Sequence, residues 1–274
     1  MKKIKKILAA NRSEIAIRIF RAAEESGIRT AAIYSKEDRF ALHRFKTDES
    51  YLVGEGKGPI QAYLDINSII DIAKKAGVDA IHPGYGFLSE NPDLADQCEK
   101  NNIIFIGPTK EILNRLGNKT AAKEVADEAG VSTIPSVKVN EENKKTIHDE
   151  VNKIGYPVIV KASWGGGGRG MRVVRSADEL LEQIELAQSE SKKAFGKDEV
   201  FIEKFLEDAA HIEVQILGDT HGNIVHLFER DCSLQRRHQK IIERAPAHFL
   251  EESSRKNICD SAVKIAKYVN YCGA

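Results

Sequence analysis

Apolar and polar positions alternate along this chain in two textures. Up to about residue 108, short apolar runs are separated by stretches whose apolar residues recur every three to four positions. Ile4 to Ala9 and Thr30 to Tyr34 read as strands, with a helix from Ile15 to Ala23 between them. Ile66 to Ala76 carries the helical period, Ala80 to His82 reads as a strand, Pro92 to Glu99 as a helix, and Ile103 to Ile106 as a strand ending at Gly107-Pro108. Strand alternating with helix predicts a parallel sheet wound with helices on both faces.

From about 109 to 156 the chain is helix-rich and highly charged, and the polar run over 140–145 is a solvated stretch to which no chemistry is assigned. The texture then changes to strands joined by short turns: Pro157 to Lys161, Met171 to Val174, Val200 to Lys204, Ile212 to Leu217 and Ile224 to Phe228. Ser254 to Asn270 is an amphipathic helix, and Tyr271 to Ala274 reads as the approach to a further strand. A second domain, of mixed α+β type, follows from this pattern.

Composition fits that division. At roughly 100–200 residues per domain, 274 residues make about two domains. With 42% hydrophobic and 30% charged residues, and 41 basic side chains balancing 41 acidic ones, the chain reads as an ordinary globular protein whose main partner is neither a membrane nor a nucleic acid. The basic start Lys2-Lys3-Ile4-Lys5-Lys6 precedes an apolar run that stops at Asn11-Arg12, too short for an export signal, so a cytoplasmic location is expected. Cys98, Cys232, Cys259 and Cys272 are scattered without metal or disulfide spacing and read as reduced core thiols.

The strongest local chemistry lies at Lys161-Ala162-Ser163-Trp164-Gly165-Gly166-Gly167-Gly168-Arg169-Gly170-Met171. Four consecutive glycines cost backbone entropy on folding, which points to close approach of the main chain to something. Exposed amides there can cradle a phosphate, with Lys161 and Arg169 supplying charge on either side. A flexible hairpin needs only one or two glycines. Gly165, Gly167 and Gly170 also satisfy the dinucleotide fingerprint, but that motif opens a helix, and here the strand pattern Met171 to Val174 follows. A glycine loop between strands covers a triphosphate in kinases too, yet the H-R-D and D-F-G segments of kinases do not follow.

Strand, lysine, glycine loop, strand is the arrangement of ATP-grasp enzymes, and further motifs narrow the resemblance. The segments Asn11-Arg12-Ser13-Glu14-Ile15-Ala16, His82-Pro83-Gly84-Tyr85-Gly86-Phe87-Leu88-Ser89-Glu90-Asn91, Phe105-Ile106-Gly107-Pro108, the glycine loop, and the run from Glu229 to Lys240 resemble, in order, those of biotin carboxylases. Within that family Leu42 to Phe45, Gly58-Pro59-Ile60 and Ile224 to Phe228 look more like the N-terminal region of pyruvate carboxylase than the separate subunit of acetyl-CoA carboxylase. The resemblance implies an α/β protein. A doubly wound N-terminal domain over 1–115 precedes an ATP-grasp domain over 116–274, with a lid subdomain at about 135–205.

The implied activity is ATP-dependent carboxylation of biotin with bicarbonate, the biotin being carried on a separate carrier domain. Lys119 and Lys161 then contact phosphate oxygens, and Gly165, Gly166, Gly167, Gly168, Arg169 and Gly170 cover the triphosphate. Glu203, Lys204 and Leu206 form the adenine-binding segment, where main-chain groups read the base edge and Glu203 its amino group or a nearby polar contact. His211, Gln235 and His238 surround the nucleotide, and Lys240 stands near bicarbonate, where a small anion needs a fixed cation. The basic run Arg236 to Lys240 lacks the interleaved aromatics of a nucleic-acid surface.

Three departures from the family pattern stand out. Ser13 occupies a position where many relatives carry glycine, and Ser136 follows Pro135 where a glycine is usual. In the family the magnesium-binding glutamates, the catalytic glutamate and the bicarbonate arginines come from a segment beyond Ala274. The expectation is therefore that ATP, magnesium and biotin all serve the intact enzyme, a homo-oligomer, while this chain alone binds nucleotide but does not carboxylate biotin unless a partner polypeptide supplies the remainder. A biotin carboxylase subunit of an acyl-CoA carboxylase, and a non-catalytic nucleotide-binding fragment, are the alternatives.

Overall fold

The computed structural model describes the chain apart from residues 1–2, 141, 144, 165–170 and 237–238, and apart from the side chain of Phe195. It divides into two compact units, residues 1–114 with 272–274, and residues 115–271.

The first unit holds β1 (Lys6–Ala9), α1 (Ser13–Glu25), β2 (Arg29–Tyr34), β3 (Glu49–Leu52), α2 (Pro59–Tyr63), α3 (Ile66–Ala76), β4 (Ala80–His82), α4 (Pro92–Lys100) and β5 (Ile104–Phe105). Its five strands are parallel in the order β3-β2-β1-β4-β5. The expected double winding is present, and the period of two along each strand produces it. Leu8, Ala31, Ile33 and Ile81 join one core with Ile69, Ala73 and Leu94 of α3 and α4. Ile7, Ala9, Ala32 and Ala80, one position over, join a second core with Ala16, Ile19, Phe20 and Ala23 of α1. The sequence pattern misses β3 and α2, and β5 is two residues long rather than four.

The motifs at the carboxyl ends of β1 and β4 lock together. Asn11, fully buried, donates from Nδ2 to the carbonyls of Pro83 (2.7 Å) and Tyr85 (2.9 Å). Gly84 has φ +68°, and a Cβ there would lie 2.5 Å from Ile15 Cγ2, so only glycine fits. The helix α1 begins at Ser13, whose φ is +55°. That left-handed start is the physical reason glycine suits the position, and this chain carries serine there at some cost.

The second unit begins within α5 (Lys110–Gly117) and continues with α6 (Lys119–Glu128), β6 (Ser136–Lys138), α7 (Ile147–Ile154), β7 (Val158–Ala162), β8 (Arg172–Val174), α8 (Leu180–Phe195), β9 (Val200–Lys204), β10 (Ile212–Gly218), β11 (Ile224–Arg236), β12 (Gln239–Arg244) and α9 (Glu252–Tyr268). An antiparallel sheet β6-β9-β7-β8 packs Val158, Val160, Val200 and Ile202 against Ile147, Val151, Leu180, Ile184 and Ala187 of α7 and α8. A second antiparallel sheet runs β10-β11-β12. Ser136, extended in β6 and paired with Glu203, has no need of glycine. Cys98, Cys232 and Cys259 are buried free thiols, as expected, while Cys272 is half-buried. Among the described residues no helix is long and apolar enough to cross a membrane.

Candidate functional site

Strand β9 explains how a charged group comes to lie in a strand that is otherwise core. Residues two apart share a face, so Val200 and Ile202 enter the core while Phe201 and Glu203 take the opposite side, opposite Lys161 and Ile159 of β7 respectively. Glu203, 7% exposed, receives the Lys161 ammonium on Oε1 and the Lys123 ammonium on Oε2, the latter at 2.9 Å. Burial alone would raise its carboxyl; the two lysines outweigh that and hold it below its ordinary range.

Helix α6 delivers two lysines to this point. Asn118 starts the helix by accepting the amides of Thr120 (2.8 Å) and Ala121 (3.1 Å) on Oδ1. The Lys119 amide donates to the Ser163 carbonyl at 3.3 Å, and the hydroxyls of Thr120 and Ser163 are 3.2 Å apart. The N-terminus of α6 thus abuts the end of β7, two residues before the glycine run begins. Burial, and then Lys161, push the Lys119 ammonium below its ordinary range, with Glu203 partly opposing. Lysine in a first helical turn also opposes the helix dipole. Among the described residues, Lys119, Lys123 and Lys161 gather about Glu203 beside a helix N-terminus, an arrangement suited to a polyanion.

The other residues expected from the sequence fall as follows. Lys204 sends its ammonium to the carbonyls of Gly155 (3.1 Å) and Tyr156 (3.0 Å), so its side chain braces the turn before β7, and its amide donates to the Pro135 carbonyl at 3.0 Å. Leu206 is half exposed. His211, just before β10, gathers with Gln235 of β11 and Lys240 of β12: His211 Nδ1 is 2.7 Å from Gln235 Nε2, and Glu213 Oε1 meets His211 Nε2 at 3.1 Å and Lys240 Nζ at 2.5 Å. Gly165 to Gly170, Arg169 among them, and His238 lie outside the described residues.

Sequence reasoning did not find Lys123, Glu213 or Arg230. The spacing of Lys119 and Lys123, one helical turn apart, was the only available signal for the first. Glu213 is the hub of the second group, because Arg230 also reaches its Oε2 at 3.2 Å and pairs with Glu243. Burial would raise the Glu213 carboxyl, but Lys240 and its other cationic neighbours hold it low. Glu213, Cys232 and Glu243 bring potential ligand atoms within 4.8 Å of one another. Arg230 and Lys240 already neutralise these carboxylates, so the trio is an ion-pair network and does not fit a divalent cation.

Residues 118–274 match the family described as carbamoyl-phosphate synthase L chain, ATP binding domain, and residues 3–113 match the biotin carboxylase N-terminal domain. The chain belongs to the biotin carboxylase family of ATP-grasp proteins. It is 58% identical over 271 residues to the pyruvate carboxylase of Bacillus subtilis, covering 99% of this chain and 24% of that protein. It is 50% identical over 274 residues to the mitochondrial methylcrotonoyl-CoA carboxylase subunit alpha of Dictyostelium discoideum, covering 39% of it. Among solved structures, the biotin carboxylase domain of Hydrogenobacter thermophilus 2-oxoglutarate carboxylase, in complex with MgADP, ADP and bicarbonate, superposes with a TM-score of 0.94 at 44% identity, over 99% of this chain and 60% of that one. The chain therefore spans about a quarter of the length of the pyruvate carboxylase it matches.

Proposed function

We propose that this chain is the nucleotide-binding region of a biotin-dependent carboxylase of the pyruvate carboxylase type. In that reaction ATP activates bicarbonate as carboxyphosphate, and N1 of biotin on a carrier domain captures the carbon dioxide released from it. The observation that carries the reading is the Lys161–Glu203 pair facing Lys119 at the α6 N-terminus, directly before the glycine run in sequence. Lys119 and Lys161 offset the phosphate charge, with Gly165 to Gly170 and Arg169 assigned to the same anion on sequence grounds. Glu203, and the main chain through Lys204 to Leu206, take the adenine. His211, Gln235 and His238 take ribose and phosphate oxygens, and Lys240 the bicarbonate side.

Within this reading 1–115 is the N-terminal domain and 116–274 the ATP-grasp domain, supported by the unit boundary after Asn114. A lid at about 135–205 is supported by the sheet β6-β9-β7-β8, which occupies 136–204. Glu203 and Glu213 already serve cations, so neither is assigned as a magnesium ligand. Carboxylation of an acyl-CoA substrate is a second reading, favoured by the identity to the methylcrotonoyl-CoA carboxylase subunit over the whole chain.

Titration calorimetry with ATP tests the site. The parent chain binds ATP, and Lys161→Ala and Glu203→Ala each weaken it, the lysine by about tenfold or more because a charge-assisted contact is lost. Parental affinity in both variants, or a parent chain without affinity for ATP, contradicts the assignment.

A further inference from the structure

We propose that Lys123 is a positioning residue of the nucleotide site, holding the Glu203 carboxylate as a pure hydrogen-bond acceptor and so setting a preference for adenine over guanine nucleotides. This rests on the nucleotide reading above and deepens it. Among the described residues, the partners of Lys123 include none that is assigned to phosphate. Its ammonium is fixed on three sides: Glu203 Oε2 at 2.9 Å, the Ile134 carbonyl at 2.8 Å, and the face of Phe201, whose ring centre is 5.7 Å away. Its side chain is 18% exposed, and that of Glu203 9%. Lys119 and Lys123 lie one turn apart on α6, a like-charge spacing that weakens a helix unless an acid answers it. Glu203 is that acid, supplied from β9, 80 residues along the chain.

The two carboxylate oxygens carry different duties. Oε1 pairs with Lys161, a residue assigned to phosphate, and a triphosphate competes for that ammonium. Once Lys161 turns to the nucleotide, Oε1 is released toward the base, and Lys123 on Oε2 keeps the group charged. An ionised carboxylate only accepts hydrogen bonds. The exocyclic amino group of adenine donates to it, whereas guanine presents a carbonyl oxygen at the same position and repels it. A protonated carboxyl would donate to that carbonyl and erase the distinction. Among the described residues, the charged groups facing Glu203 are Lys161 from β7 and Lys119 and Lys123 from α6. Removing Lys123 leaves burial, which raises the Glu203 carboxyl, opposed by fewer cations.

The test measures dissociation constants for ATP and for GTP, with the 274-residue chain and its Lys123→Met, Lys123→Gln and Lys123→Arg variants, at about pH 7.5 and about pH 5.5. Lys123→Met is expected to weaken ATP by about tenfold while GTP changes little, so that the ATP-to-GTP preference falls. Lys123→Gln, which keeps a donor without the charge, follows Lys123→Met, and Lys123→Arg restores the parental preference. The loss in Lys123→Met deepens at the lower pH, where Glu203 takes up a proton that the parent resists. An unchanged preference in Lys123→Met and Lys123→Gln overturns the inference, as does equal loss of both nucleotides without rescue by Lys123→Arg. If Lys161→Ala abolishes ATP binding while these Lys123 results fail, the nucleotide site stands and only the role of Lys123 falls. A parent chain that binds no nucleotide overturns both.

Discussion

Two residues show how single positions carry more information than their type suggests. Ser13 sits at φ +55°, a region that costs a non-glycine residue about 1–2 kcal/mol, of which glycine's extra freedom in the unfolded chain returns about 0.5–1. Ser13→Gly is therefore expected to stabilise the protein by up to about 1 kcal/mol, read as a rise in thermal midpoint of about 1–3 °C. A fall in midpoint would mean that the serine has a role its backbone angle does not reveal. The substitution was visible in the sequence as a departure from the family pattern, but its sign was not, because φ is not written in a residue's name. Glu203 is the reverse case. The resemblance singled it out, yet its two lysine partners come from Lys161 and Lys123, 42 and 80 residues away, and no local pattern encodes the second pairing.

Elements were legible where periodicity and punctuation agree. The helix α3 has the limits its apolar spacing predicts, closed by Gly77 at φ +63°, and β9 likewise runs from Val200 to Lys204. The sequence pattern does not reveal helix α8, because its apolar positions are uneven: Leu180, Ile184 and Ala187 are buried while Leu181 and Leu186 are exposed. The strands β6 and β12 were missed because their residues are mostly exposed and their strand state depends on partners β9 and β11. Within the run read from the sequence as a basic cluster, Arg236 closes β11 and pairs with Gln239, which opens β12. At this scale the cap of α6 is the critical feature, since Asn118 fixes the turn that carries Lys119. Asn118→Ala is expected to cost about 1 kcal/mol of stability and to weaken ATP binding as well. Unaltered ATP affinity together with the stability loss would separate Lys119 from the site.

At the scale of the molecule, the sequence placed a doubly wound parallel sheet before a mixed α+β region, and the two units follow that order. Each unit's core arises from strand alternation, which leaves one face of β9 for charge. The glycine run from Gly165 to Gly170 follows β7 and precedes β8 in sequence, and it is proposed to cover the triphosphate beside Lys161 of β7. In the proposed function ATP engages the second unit through α6, β7, β9 and that run. Hydrogen exchange of backbone amides, followed peptide by peptide with and without saturating ATP, tests this most directly. Slowed exchange is expected in peptides spanning 118–123, 161–172 and 201–206, and none in Lys6–Ala9 or Ala80–His82 of the first sheet. Bound ATP that leaves those three segments unprotected, or protects only the first unit, would contradict it.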